Sequence, residues 1–225
     1  MEVINKIQRK ILGSFSDVPE SEHFYLAGGT ALAEFYLRHR KSEDLDFFSG
    51  IEELIGPFSF RLEDMLTEKG MVVNRKRNLS SFVELIVDWE GETTMIHLAQ
   101  DSPFRLESTR VFQQYPGLKV DNLIDLAANK LLALFGRASL RDFIDIYTLV
   151  ERGKFTPEEL MENAGKKDPG FDLYWLGVAF QRIKTFKEDS PGMLLLAEPI
   201  AFDKLRVFYE QWSAKIAEKI KPEQS

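Results

Sequence analysis

The chain has 225 residues, 44% of them hydrophobic, and 36 acidic against 29 basic side chains give a formal net charge of −7. This length buries a real core, as one domain or one domain plus a helical appendage, and the lack of cysteine excludes both a disulfide framework and a thiolate metal site. The acidic balance excludes a surface that coats nucleic acid generally, and no apolar run approaches membrane-spanning length, so a soluble, cytoplasmic protein is expected.

In chain order, Met1 to Leu12 is amphipathic and charged rather than a signal peptide, and a first helix is expected over about 2–13. The stretch Leu26-Ala27-Gly28-Gly29-Thr30 follows. Gly28 and Gly29 carry no Cβ, so the backbone there turns tightly and lets a phosphate approach. Thr30 is placed to cap a helix over 30–39, with its hydroxyl and N–H toward the same anion. That helix carries Leu32, Phe35 and Tyr36 as an apolar stripe and ends at Arg38-His39-Arg40. A short return leads to a strand over 44–48, which brings Arg40 close to it. Strand side chains alternate, so Asp44 and Asp46 share one face while Leu45 and Phe47 enter the core. Two aligned carboxylates beside a glycine-rich helix start suit a divalent cation held against a phosphate.

A helix is expected over 51–69, with Pro57 in an early turn or break. Three β runs follow, Met71 to Arg77, Ser81 to Trp89 and Thr93 to Ala99, the last two joined as a hairpin at Glu90-Gly91-Glu92. Arg75-Lys76-Arg77 is the one dense basic triplet and reads as a solvated strand end. Beyond Ala99 the β signal fades. Asn122 caps a helix to Arg137, a second runs from about 139 to 151, and helices near 156–164, 170–187 and 201–220 complete the chain, with breaks at Asp168-Pro169-Gly170 and Ser190-Pro191-Gly192. The aromatic stripes Phe171, Tyr174, Trp175, Phe180 and Phe202, Phe208, Tyr209, Trp212 read as core.

The run LAGGTALAEFYLRHRKSEDLDFF resembles the AbiEii-type nucleotidyltransferase toxin family, a branch of the DNA polymerase β-like superfamily. Asp125 to Lys130, Arg137, and Arg141-Asp142-Phe143-Ile144-Asp145 are similar to the same family's later motifs. The resemblance implies an α+β fold, a small mixed sheet flanked by helices over 1–120, with a C-terminal helical bundle over 121–225. It implies a magnesium- or manganese-dependent enzyme that moves a nucleotidyl group from an NTP to an RNA (for some relatives tRNA) or protein acceptor, and a cognate antitoxin as partner.

The site that follows has Asp44 and Asp46 as metal ligands and catalytic carboxylates, and Gly28, Gly29, Thr30 and Arg40 on the phosphates. Lys130 lies in an apolar setting, and Arg137, seven residues on, shares its helix face. Both are expected at the triphosphate, where Lys130 offsets developing charge. Asp142 and Asp145 also share a face; both fit the later aspartate of the family, and Asp142 is preferred. The plainer reading of these four is interhelix salt bridging.

The resemblance places a third carboxylate at His97, and imidazole is a poor magnesium ligand. Three roles stay open for His97: a satisfied rim histidine, a proton acceptor or hydrogen-bond donor near the acceptor, or the mark of an impaired site. Glu84 and Asp88, on one face of the adjoining strand, offer substitute carboxylates. The alternative to an active transferase is therefore a nucleotide- or partner-binding relative. A kinase-like transfer is a third reading.

Overall fold

Helix α1 (Lys6–Ser14) opens the computed structural model, which describes residues 2–220. Asn5 accepts from the Gln8 N–H at 2.9 Å while the Gln8 side chain accepts from the Asn5 N–H at 3.0 Å, a reciprocal cap that starts the helix four residues later than the amphipathic pattern suggests. Ile7, Ile11 and Leu12 go into the core.

A short strand β1 (Tyr25–Ala27) leads into α2 (Gly28–Leu32), which continues as a single π-helical turn over Ala33–Leu37. Then come β2 (Asp44–Ser49), α3 (Glu52–Glu68), β3 (Val72–Leu79), β4 (Phe82–Trp89), β5 (Glu92–Gln100) and the two-residue strands β6 (Arg110–Val111) and β7 (Lys119–Val120). Among the described residues these form one mixed seven-stranded sheet, ordered β3-β4-β5-β2-β1-β7-β6. β2 runs parallel to β5 and antiparallel to β1, and β3-β4-β5 form an antiparallel meander. Glu90 and Gly91 adopt φ of 49° and 81°, the left-handed pair that a tight hairpin turn requires.

One face of the sheet is sealed. Leu45, Phe47, Val83, Leu85, Ile96 and Leu98 are fully buried, and Phe47 stacks on Phe15 at 3.9 Å while Phe24 stacks on Phe58 of α3 at 4.0 Å. Asp44, Asp46, Glu84 and His97 lie on the opposite, half-open face, as strand alternation requires. Helix α3 runs straight through Pro57: with Ile55, Phe58, Leu62 and Leu66 buried, packing outweighs the missing N–H, and no break forms. At the sheet edge Arg75 pairs with Glu63 at 2.6 Å and lies over the Phe60 ring, while Lys76 and Arg77 stay exposed.

The chain divides into two compact units between Leu126 and Ala127. Helix α4 (Leu123–Arg137) starts in the first, where the Asn122 side chain accepts from the Asp125 N–H at 2.9 Å as the expected cap. The second unit is helical: the rest of α4, α5 (Leu140–Glu151), α6 (Pro157–Lys167), α7 (Leu173–Phe180) and α8 (Phe202–Ile220). Its core centres on Tyr209, which is fully buried, meets Phe143 edge-on at 4.7 Å and donates to the Phe143 carbonyl at 2.7 Å. Phe180 and Trp212 pack beside it.

The aromatic stripes are core only in part. Tyr174 and Trp175 are 58% and 59% exposed, because α7 is a short two-turn helix ending at Phe180, and only its Leu176–Phe180 edge reaches the core. Tyr174, Val178, Ile216 and Ile220 line an apolar groove of about 480 Å³ on this unit. Among the described residues no helix is long and apolar enough to cross a membrane.

Candidate active site

Strand pairing assembles the carboxylate site. β5 lies beside β2 in register, so His97 stands opposite Asp46, and β4 lies beside β5, so Glu84 stands opposite His97. His97 Nδ1 is 2.8 Å from Asp46 Oδ1, and its Nε2 is 3.7 Å from Glu84 Oε2. The hydrogen bond to Asp46 outweighs burial and raises the His97 pKa above its ordinary value, with the charges of Asp46, Asp44 and Glu84 acting in the same sense. Asp88 turns to the Thr93 hydroxyl instead.

The glycine pair explains itself here. Gly28 has φ of 69°, and a Cβ on it would lie 2.9 Å from Asp46 Cγ and closer still to Oδ2. A Cβ on Gly29 would stand 2.8 Å from Arg40 Nη2 and 3.1 Å from Ser42 Oγ. The glycines thus admit Asp46 and Arg40 against the backbone, a closer neighbour than the anion expected from the sequence. Gly28→Ala is expected to cost about 1–3 kcal/mol, from the left-handed backbone and the displaced carboxylate together. Thermal melting of the variant beside Gly13→Ala, where nothing lies within 4 Å of the added atom, separates this from ordinary glycine entropy.

One expectation is corrected, and a second residue takes an unexpected setting. Thr30 is the third residue of α2, not its cap: the helix starts at Gly28, and the buried Thr30 hydroxyl donates to the Asp44 carbonyl, clamping α2 to β2 rather than facing an anion. Arg40 does lie beside the aspartate strand, as its short return loop predicts, yet it is 1% exposed and donates to the Lys41 carbonyl at 2.9 Å. It is a buried brace under the glycine turn. Burial of that guanidinium was not legible, since sequence shows a basic cluster at a helix end, which is ordinarily solvated.

The donor set fits a hard divalent cation. Asp44 and Asp46 present oxygen from one face of β2, while His97, a nitrogen donor with Nδ1 turned to Asp46, falls outside the set. Among the described residues no three His, Asp or Glu side chains converge as a ready-made cage.

The second unit holds a separate ionic cluster. Lys130 Nζ lies 2.7 Å from Asp145 Oδ2 and 3.9 Å from Asp142 Oδ1, and both aspartates are fully buried. Arg137 grips Asp142 through Nε and Nη2, each at 2.8 Å, and the Ser139 hydroxyl donates to Asp142 Oδ2 at 2.6 Å. Both Asp142 oxygens are therefore engaged, and its evident work is to position Arg137 across the α4–α5 turn. Ser139 stands at the N-cap position of α5, but its hydroxyl serves Asp142 and no backbone N–H, a pairing the sequence does not signal.

Burial alone would raise the Asp142 pKa, but Arg137, Lys130 and Ser139 hold it below the usual aspartate range. A depressed folded pKa contributes stability that is present above the unfolded value, near pH 4, and lost as pH falls through the folded one. Urea midpoints of wild type and Asp142→Asn should therefore differ most at neutral pH and converge in acid.

A second network fixes the segment after β5. Tyr25 donates to Asp101, Arg105 pairs with Asp121 and covers the Tyr25 ring at 4.0 Å, and the Asp125 carboxylate accepts from the Leu106 and Glu107 N–H groups. Only Asp125 had been noted in the sequence, as part of a motif; the tie to a segment twenty residues upstream leaves no local signal.

Comparison with known proteins places the chain as a whole. The family model described as "Nucleotidyl transferase AbiEii toxin, Type IV TA system" matches residues 10–120 and 91–223. The uncharacterized protein aq_aa25 of Aquifex aeolicus is 28% identical over 184 residues, 77% of this chain and 80% of that protein. The crystal structure of JHP933 from Helicobacter pylori superposes with a TM-score of 0.57 at 19% identity, covering 96% of this chain and 90% of the other. A structure solved as that of a candidate nucleotidyltransferase from H. pylori gives 0.56 at 19% identity, covering 96% and 93%. At this identity the structures speak for the fold.

Proposed function

This chain belongs to the AbiEii nucleotidyl transferase toxin family, and on that premise we propose that it is an NTP-dependent nucleotidyltransferase whose acceptor is an RNA. The observation that carries the reading is the pair Asp44 and Asp46 on the open face of β2, with Asp46 seated against the Cβ-less Gly28 turn. Asp44 and Asp46 would hold magnesium or manganese there, and that ion would supply neutralising charge for the phosphates. The acceptor hydroxyl oxygen bonds to the α-phosphorus as the bond to the β-phosphate oxygen breaks, pyrophosphate leaves, and the acceptor proton passes to water. Gly28 and Gly29 let Asp46 and Arg40 pack against the start of α2.

The second reading, a binding relative that transfers nothing, is motivated by His97 in the position of a third carboxylate. The family's type IV toxin–antitoxin assignment supports a cognate antitoxin as partner in the cell. The test is incubation with each α-labelled triphosphate, magnesium, and total cellular RNA and protein. Label in a ribonuclease-sensitive band is expected. Protease-sensitive label would transfer the reading to a protein acceptor, and nucleotide binding without label in either would establish the binding relative.

A further inference from the structure

We propose that His97 is a positioning residue for the cation site, its Nδ1–H fixing the Asp46 carboxylate and Glu84 in turn fixing the ring; the proposal rests on the reading of Asp44 and Asp46 as cation ligands. The register sets the row Asp46–His97–Glu84 across three neighbouring strands on the half-open face, at 2.8 Å and 3.7 Å. Phe82 flanks the imidazole at 5.7 Å between ring centroids and limits its tilt. Asp46 is thereby held from two sides: Oδ1 takes the His97 hydrogen bond, and Oδ2 is the oxygen nearest the space a Gly28 Cβ would fill.

A carboxylate so held keeps one rotamer before a cation arrives. Such outer hydrogen bonds typically strengthen metal binding by about 10–100-fold. Asp44 is steadied differently, through its own carbonyl, which accepts from Thr30. The charged ring donates from Nδ1, and the neutral ring does so in its Nδ1–H tautomer, which the acceptor-only Asp46 carboxylate at 2.8 Å favours over the more distant Glu84. A proton-accepting role toward the acceptor fits less well, since both ring nitrogens already face carboxylates.

The experiment is Mn2+ binding to the full chain without nucleotide, followed by the loss of the free-ion electron paramagnetic resonance signal. It compares wild type, Asp46→Asn, His97→Ala, His97→Asn and His97→Gln, with melting curves for each. His97→Ala is expected to weaken Mn2+ binding by about 10–100-fold. His97→Asn, whose amide N–H falls near the former Nδ1–H, should restore most of it, and His97→Gln, which reaches past that point, should not. Wild-type affinity in His97→Ala, or equal loss in the Asn and Gln variants, overturns the positioning role while leaving the carboxylate site standing. Equal binding by wild type and Asp46→Asn overturns the cation reading itself and this proposal with it. If His97→Ala fails to fold, the contrast between Asn and Gln decides.

Discussion

Asp46→Asn is expected to lower nucleotidyl transfer by about a thousandfold or more while the fold persists. The substitution keeps the shape of the side chain but replaces an anionic oxygen by an amide, and the several kcal/mol of charge stabilisation that a held cation contributes converts to a factor of that size. The side chain is 27% exposed, so its loss leaves no buried void, and removing one charge from the Asp44, Asp46 and Glu84 group relieves like-charge repulsion. Against that gain stands the hydrogen bond to His97, which an asparagine oxygen still accepts. Melting temperature should therefore change little, and specific activity should collapse. Asp44→Asn should behave alike, and wild-type turnover in either variant would remove the cation role from that residue.

Lys130→Met is expected to cost about 3–5 kcal/mol of stability, the usual consequence of removing one partner from a buried ion pair. Lys130 is 7% exposed, and Asp145 and Asp142 beside it are fully buried, so the variant removes a cation that both carboxylates share. Lys130→Met with Asp145→Asn should recover part of the loss, because the second change removes the buried charge that has lost its lysine; urea denaturation of the four proteins measures the coupling. Activity per folded molecule separates the two roles of the lysine. If Lys130 also serves the triphosphate, the double variant regains stability and still turns over about a hundredfold slower; if it serves only the helices, turnover returns with the fold.

The parts of the architecture set by local rules were legible. Alternation over Asp44 to Phe48 predicted which residues enter the core, Glu90-Gly91 predicted the hairpin, and Asn122 predicted the start of α4. The strands β1, β6 and β7 were missed because two or three residues carry no periodicity, and their pairing is decided by the sheet they join. The helix after the glycines was expected to run on to residue 39; instead a π turn inserts at Ala33–Leu37 and Arg38 ends it at φ of 50°, a local change of pitch that an apolar stripe does not encode.

The candidate site shows the same division. The two aspartates announce themselves by spacing, and the helical basic and acidic residues announce an ionic cluster. What the spacing leaves out is which group each glycine accommodates and which oxygen each donor reaches. Gly28 and Gly29 read as an anion turn, yet the atoms they admit are the side chains of Asp46 and Arg40, brought there from 18 and 11 residues downstream. Lys130, Arg137, Asp142 and Asp145 had both a phosphate reading and a salt-bridge reading; the ion pairs are the contacts they make within their own unit. Tyr174 and Trp175 read as core because they sit at helical spacing among apolar neighbours, and a single short helix cannot bury both sides.

The measurement closest to the central claim uses one triphosphate labelled in turn at the α- and γ-phosphates, incubated with magnesium, cellular RNA and either wild type or Asp46→Asn. The account predicts that wild type retains the α label and loses the γ label with pyrophosphate, and that Asp46→Asn retains neither. Retention of the γ label in the acceptor, or α label carried equally well by Asp46→Asn, would contradict it.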